Sequence, residues 1–381
     1  MFGSKRHKGT VLIADVDDAS VGVALVELGA RARVIRSQRA LLPIEQRSPD
    51  HSASAVAQLL GDSLEKVVTA HAADPKAPAI VGSYAVVRSP WIRFRTAQAE
   101  EEYESPTTIT APIIAELTKK ALQQPSDIDS ANRLESGVMH VYLNGYATGS
   151  PMGKRVTRAA VTAYESSIVP DAKRIVSEAL LKTLPGREPV LRSSTSALLG
   201  VAAEYMPETQ RSVLIDVGSS TTQCAVVLRE SVTQTAMLSE GLATILTKIG
   251  DGKFPEQTLT QLRMLATDTC ATDACKSLKD ALARLEPELA KTFGEVFAKL
   301  STERRLPNTV LLSAPAELSS WMAGFFSRID FSQFTATLQP FTVELLTAEH
   351  ISEGVEWVGI QPDTGLGIAA AYVNILAAIE K

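Results

Sequence analysis

Apolar residues in this chain recur with two periods, and the switch between them marks out its elements. Between 9 and 36 they come in three short bursts, GTVLIADV, SVGVALVEL and ARARVIRS, with a turn at Glu27-Leu28-Gly29. Bursts of this length, rich in valine and isoleucine, predict three consecutive strands in a meander. Residues 37–52 are polar with two prolines and predict a loop. From 53 to 72, Val56, Leu59, Leu60, Leu64, Val67 and Val68 fall on one face of a helix. Strand character returns over 78–105 in AIVGSYAVVRSP and WIRFRTAQAE. The run Glu100-Glu101-Glu102 at the end of this stretch reads as a solvated turn.

A second helix is predicted from Thr110, which can cap it, through Pro112 in its first turn, with Ile113, Ile114, Leu117 and Ala121 on one face. A polar loop at 124–136 leads to a strand pair, VMHVYLNGYAT, with Asn144-Gly145 as its tight turn. SPMGKRV is loop, VTRAAVTAYESSIV is strand, and 171–183 is a helix following Pro170. Residues 189–206 read as a short strand and a helix of small residues. The opening meander then recurs as SVLIDVGSS, TQCAVVLRE and SVTQTAMLSEG. After it come a long helical region at 256–303, strand–turn–helix at 308–318, a strand at FTVELLTAEH and a final helix at 364–380.

The two meanders can be laid on each other. VLIADVDDASVGVALV at 11–26 matches VLIDVGSSTTQCAVVL at 213–228 with one gap. A strand–acid–turn–strand unit occurring twice predicts two similar domains that face each other. The second turn has the chemistry of an anion site. Gly218 permits close approach and tolerates positive φ. The hydroxyls of Ser219, Ser220, Thr221 and Thr222, with the turn's N–H groups, can surround phosphate oxygens. Asp216 ends the buried strand where a carboxylate can hold Mg²⁺ through water. The plainer alternative is a Ser/Thr-rich hairpin whose aspartate caps its own turn.

This pair of turns resembles the actin/sugar-kinase/Hsp-chaperone superfamily, in which two such domains clamp a nucleotide. The insertion read at 82–168, strand–helix–strand–strand, and the stretch LNGYATGSPMGKRV resemble the FtsA/PilM-type branch of bacterial division and type IV pilus assembly proteins. The resemblance implies an α/β fold of duplicated actin-like (ribonuclease H-like) domains. The first would be residues 1–81 completed by about 169–210, with the inserted module at 82–168. The second would be 211–381, including a helical subdomain at 256–305. It implies ATP and Mg²⁺ as cofactors, with Asp15 and Asp216 toward the metal and Ser20, Gly218, Ser219, Ser220, Thr221, Thr222 and Gly241 toward the nucleotide. The chain departs from the pattern at three places. Asp17 and Asp18 stand where the first turn should carry glycine and Ser/Thr. Ala314-Pro315-Ala316 replaces the Gly-Gly that cradles adenosine, and proline has no N–H and a fixed φ. Glu240-Gly241 keeps one glycine of two. Carboxylates beside a triphosphate repel it unless a cation intervenes.

The function implied is an actin-like cytoplasmic scaffold at the inner membrane face, with a partly degenerate ATP site. It would recruit the cytoplasmic tail of a membrane partner in type IV pilus- or secretion-type assembly. The alternative is an active ATP-binding FtsA-like division protein or ATPase, and whether the chain is an enzyme stays open. Its last helix reaches Lys381 with no linker or amphipathic tail, which favours the pilus branch. No general base stands out, since His140 falls in a strand pattern. Self-association into a filament is left open.

Composition narrows this further. A net charge of −5 and 5% aromatics argue against a nucleic-acid binder. No apolar run is long enough to span a membrane. The three cysteines, Cys224, Cys270 and Cys275, are an odd, small count that fits a reducing cytoplasm, and Cys270 and Cys275, spaced C-x4-C with no nearby histidine, read as helix thiols. The tetrad Lys5-Arg6-His7-Lys8 is too small for stable attachment to anionic lipid and reads as a frayed terminus.

Overall fold

The computed structural model describes residues 9–43, 52–126, 128–228, 231–250, 255–267, 269, 273–302 and 304–379. The basic tetrad, Cys270 and most of the polar segment before 52 lie outside them.

The opening meander forms as the pattern predicts. β1 (Thr10–Val16), β2 (Ser20–Glu27) and β3 (Ala32–Leu41) are antiparallel neighbours, and β3 runs on into the stretch predicted as loop. β4 (Ile80–Val87) pairs parallel with β1, and β9 (Val190–Ser193) parallel with β4. The last strand, β15 (Val355–Trp357), closes the other edge against β3, giving a six-stranded sheet ordered β15-β3-β2-β1-β4-β9. The second meander builds the same arrangement. β10 (Arg211–Val217), β11 (Thr222–Leu228) and β12 (Ser231–Leu238) are antiparallel, and β13 (Thr309–Ser313) and β14 (Thr342–Leu345) extend the sheet in parallel, in the order β12-β11-β10-β13-β14.

A third sheet, β5-β8-β6-β7, comes from β5 (Ile92–Thr108), β6 (Arg133–Leu143), β7 (Tyr146–Ala147) and β8 (Arg155–Ile168). It begins at Ile92, whereas the sequence reading started the insertion at 82, because Ile80–Val87 bonds to β1 and β9. Glu100-Glu101-Glu102 lies inside β5 opposite Ala160, Ala159 and Arg158, not in a turn, and Glu100 pairs there with Arg158. The predicted turn between β6 and β7 holds: Asn144 and Gly145 take φ of 49° and 85°. α2 (Ala111–Leu122) packs one face of this sheet with Ile114, Leu117 and Ala121, although Thr110 makes no side-chain capping bond.

Helices fill the remaining layers. α1 (Ser52–Ala72) and α3 (Pro170–Thr183) bury Val56, Leu60, Leu64, Val176 and Leu180 against the outer face of the first sheet. α4 (Ser194–Tyr205) and α9 (Thr364–Ile379) share a core with inward residues of both large sheets, among them Ile13, Val26, Leu214, Val227 and Leu311. The far face of the second sheet is covered by α5 (Leu242–Ile249), α6 (Pro255–Ala266), α7 (Asp273–Leu300) and α8 (Ala316–Arg328) around Phe293, Phe297, Phe325 and Phe326. β15 and α9 therefore complete the first sheet and its core. They do not belong wholly to the 211–381 half to which the sequence reading assigned them.

Candidate functional site

The two turns meet across the cleft between the large sheets. Asp15 pairs with Gly22 in the first hairpin and Asp216 with Gln223 in the second, each seven positions on. Asp17 N–H donates to Ser20 O at 2.9 Å, and Gly218 N–H to Thr221 O at 2.8 Å. The duplication is thus real in three dimensions and needs no gap, because Ala14, not Ile13, is the counterpart of Ile215. Gly218 serves by close approach rather than by positive φ: a Cβ there would sit 3.0 Å from Thr221 O, and its φ is not in the left-handed region.

Asp15 and Asp216 come together, but around a guanidinium. Arg88, just past the end of β4, donates from Nε to Asp15 Oδ1 at 2.9 Å and from Nη1 to Asp216 Oδ1 at 3.1 Å. Arg39 on β3 takes the other oxygen of Asp15 at 2.7 Å and forks onto Asp363 at 2.5 and 2.9 Å. Ser313 Oγ, at the end of β13, donates to Asp216 Oδ1 at 2.8 Å. Asp363 in turn caps α9, accepting Leu366 N–H at 2.8 Å. A continuous chain, Asp363–Arg39–Asp15–Arg88–Asp216, runs from one sheet to the other. Its central members are buried, with side chains 2% exposed at Asp15, 7% at Asp216 and 13% at Arg88. Gly365 lets α9 begin directly on this chain, since a Cβ there would collide with Asp15 Oδ2 and lie 2.8 Å from Arg39 Nη2.

Burial alone would raise the Asp15 carboxyl; Arg88 and then Arg39 overcome it and hold it below the ordinary carboxylate range. Asp17 goes the other way. Burial, then the hydrogen bond and charge of Asp18, push it well above the usual value.

Most hydroxyls predicted for phosphate are already committed. Ser220 Oγ donates to Asp18 Oδ2, Thr221 Oγ1 to Ser89 Oγ at 3.1 Å, and Thr222 Oγ1 to Glu240 O at 2.6 Å. Ser20 Oγ accepts from Arg39 at 3.3 Å. Ser219 Oγ is buried without a partner and lines the cleft. Gly241, predicted toward the nucleotide, lies against the turn itself: a Cβ would lie 2.7 Å from Gly218 O and closer still to Ser219 O. Those two carbonyls accept the N–H groups of Leu242 and Ala243 at 3.0 and 2.8 Å. The first turn of α5 therefore spends two of its amides on protein, where an anion site would leave them free.

The cleft retains a cavity of about 490 Å³ bordered by Asp15, Arg39, Arg88, Ser219, Pro315 and Asp363. The donor set does not fit a divalent cation. Asp15 has both oxygens on arginines, Asp216 Oδ1 accepts from both Arg88 and Ser313, and no cluster of three or more metal-binding side chains occurs among the described residues. Pro315 and Arg88 occupy matched positions, each two residues past the strand residue that pairs with its aspartate (Ser313 and Val86).

Sequence reasoning found both aspartates and the second turn, and missed Arg39, Arg88, Ser313 and Asp363. Only Asp363 had a usable signal, an aspartate just ahead of an apolar helix. His140 lies in β6, tilted against the Tyr142 ring, away from the cleft. Cys224 is a free thiol that burial pushes up to about 12, whereas Cys275 is disulfide-bonded, against the expectation of a helix thiol. The insertion has its own buried charge, Glu165, clamped by Arg95 at 2.6 Å and Arg133 at 2.9 Å.

No family model matches the chain, and no curated relative does. Among solved structures, a chain of the PilM-PilN type IV pilus biogenesis complex superposes with a TM-score of 0.57 at 13% identity, covering 98% of each chain. Ethanolamine utilization protein EutJ from Carboxydothermus hydrogenoformans gives a TM-score of 0.45 at 10% identity, over 96% of this chain and 89% of that one. At these identities the likeness is one of architecture, and the chain has the duplicated actin-like fold.

Proposed function

We propose that this chain is an actin-like scaffold at the inner membrane face. It recruits the cytoplasmic tail of a membrane protein in a type IV pilus- or secretion-type assembly and is itself peripheral to the membrane. The observation that carries the reading is Arg88, whose guanidinium takes up both carboxylates that metal-nucleotide chemistry would need. A partner-bound role is also supported by the fold, since the matched chain comes from a complex of two pilus biogenesis proteins. The insertion offers a surface for such contact, with Val138, Tyr146 and Met152 exposed at 42%, 80% and 54%. No helix among the described residues is long and apolar enough to cross a membrane.

The second reading, an ATP-binding division-type protein or ATPase, is favoured by the 490 Å³ cavity and the unpartnered Ser219 hydroxyl. Calorimetric titration with Mg²⁺-ATP beside Asp216→Ala separates the two. The scaffold reading expects no heat and no hydrolysis; micromolar binding lost in the variant would establish the ATPase reading. The partner half is tested with immobilised cytoplasmic segments of single-span inner-membrane proteins. One of them should capture the protein, and Tyr146→Asp should weaken capture at least several-fold without lowering thermal stability.

A further inference from the structure

We infer that Arg88 is a resident substitute for a divalent cation: by joining Asp15 to Asp216 it holds the two halves of the cleft together independently of metal and nucleotide. This extends the scaffold reading, on which it rests only in treating the cleft as structural.

The geometry is that of a cation site with the cation built in. Arg88 leaves the first sheet at the end of β4 and presents two different nitrogens to two carboxylates on opposite sides of the cleft. A divalent ion bridging Asp15 Oδ1 and Asp216 Oδ1 would compete with donors already in place, since both accept from Arg88 and Asp216 Oδ1 also accepts from Ser313. The remaining acceptor oxygen of Asp15 is taken by Arg39. Placing a further cation here without moving Arg88 would press two positive centres together in a buried site. Within the chain, Asp363, Asp15 and Asp216 face Arg39 and Arg88, so the arginines neutralise all but one of the carboxylate charges.

The second half of a nucleotide site is occupied in the same manner. The α5 amides that would greet a phosphate bond to Gly218 O and Ser219 O. Ser220 is turned onto Asp18. Protein groups engage the carboxylates a metal would use and two of the amides an anion would use. The cross-link between the halves is therefore always present, where a bound ligand would make it conditional.

The test uses the whole chain and metal alone. Melting of the wild type is expected to be the same in EDTA and in millimolar Mg²⁺ or Mn²⁺. Arg88→Ala, which leaves Asp216 facing Asp15 with its charge uncompensated, should melt several degrees lower in EDTA. It should recover part of that loss when Mn²⁺ or Mg²⁺ is added, and Arg88→Ala/Asp216→Asn should show no recovery. A metal-dependent shift in the wild type overturns the inference. So does an Arg88→Ala variant that folds and ignores metal. Should Arg88→Ala fail to fold, spin labels at Glu178→Cys and Glu295→Cys on the otherwise wild-type chain decide. Their separation should be unchanged between EDTA and Mg²⁺, and a change overturns the proposal. Tail capture is measured separately, so the scaffold reading can fail while metal independence stands.

Discussion

Asp17 occupies the position matched to Gly218, and its carboxyl lies buried beside Asp18, whose N–H donates to Asp17 Oδ1 at 2.6 Å. Burial and the Asp18 neighbour raise its folded-state pKa well above the unfolded carboxylate value. A raised pKa means that the folded protein binds the proton more tightly than the unfolded chain does. Stability from this group is therefore full below the unfolded pKa, near 4, and is lost as pH climbs toward the folded value. Asp17→Asn keeps the shape and the acceptor without the charge. It is expected to stabilise the protein at pH 7 by about 1–2 kcal/mol, the usual size of a relieved buried polar group. The gain should disappear near pH 4 in urea melts taken across the range, and a gain that did not vary with pH would refute the assignment. At this scale the sequence showed the aspartates because each ends a buried strand. It hid Arg88, whose partners lie 73 and 128 positions away, and Arg39, whose partners lie 24 and 324 positions away. No local pattern records where a side chain leaving a strand end will point.

At the scale of elements, the turn and the helix that follows it act as one unit. Gly218, Ser219 and the first turn of α5 are bonded through two backbone contacts, and Gly241 is the residue that lets them approach. Gly241→Ala must push the turn away from α5 and is expected to cost about 1–3 kcal/mol, the range for overpacking a tight contact. Asn at the exposed turn residue Gly145, whose φ is 85°, should cost much less, and chemical denaturation of both variants compares them. Strand and helix periods made nearly every element legible. The errors came where pattern competes with pairing. Ile80–Val87 and Ile92–Thr108 read as one strand region, yet they belong to different sheets. The Glu100–Glu102 run looked like loop because charge is common in loops. In β5 it is tolerated because Glu100 and Glu101 find Arg158 and Lys120. The false gap in the repeat arose from matching VLI to VLI, whereas the hairpin registers align the aspartates and everything preceding them without one.

For the whole molecule, duplication was readable because two copies of a strand–acid–turn–strand unit survive in one chain, and the two sheets share one strand plan from that unit outward. The return of the chain was not readable. β15 is three residues long, and Asn374 on α9 accepts the Gly29 N–H from 345 positions away. That return has a consequence for how the protein is made. During synthesis the second sheet has all its strands once Leu345 has emerged, while the sheet begun first still lacks an edge strand and the helix over its inner face. Ile13, Ala24, Val26 and Val34 share their core with α4 and the second sheet and are only partly covered until Val355–Ile379 arrives. The amino-terminal body is begun first and finished last, so released chains truncated just before 355 should be held by chaperones and should be protease-sensitive at residues 10–41 while 211–345 resists. Equal resistance of both segments in a truncated-chain digest would show that the first sheet can close without its final strand and helix.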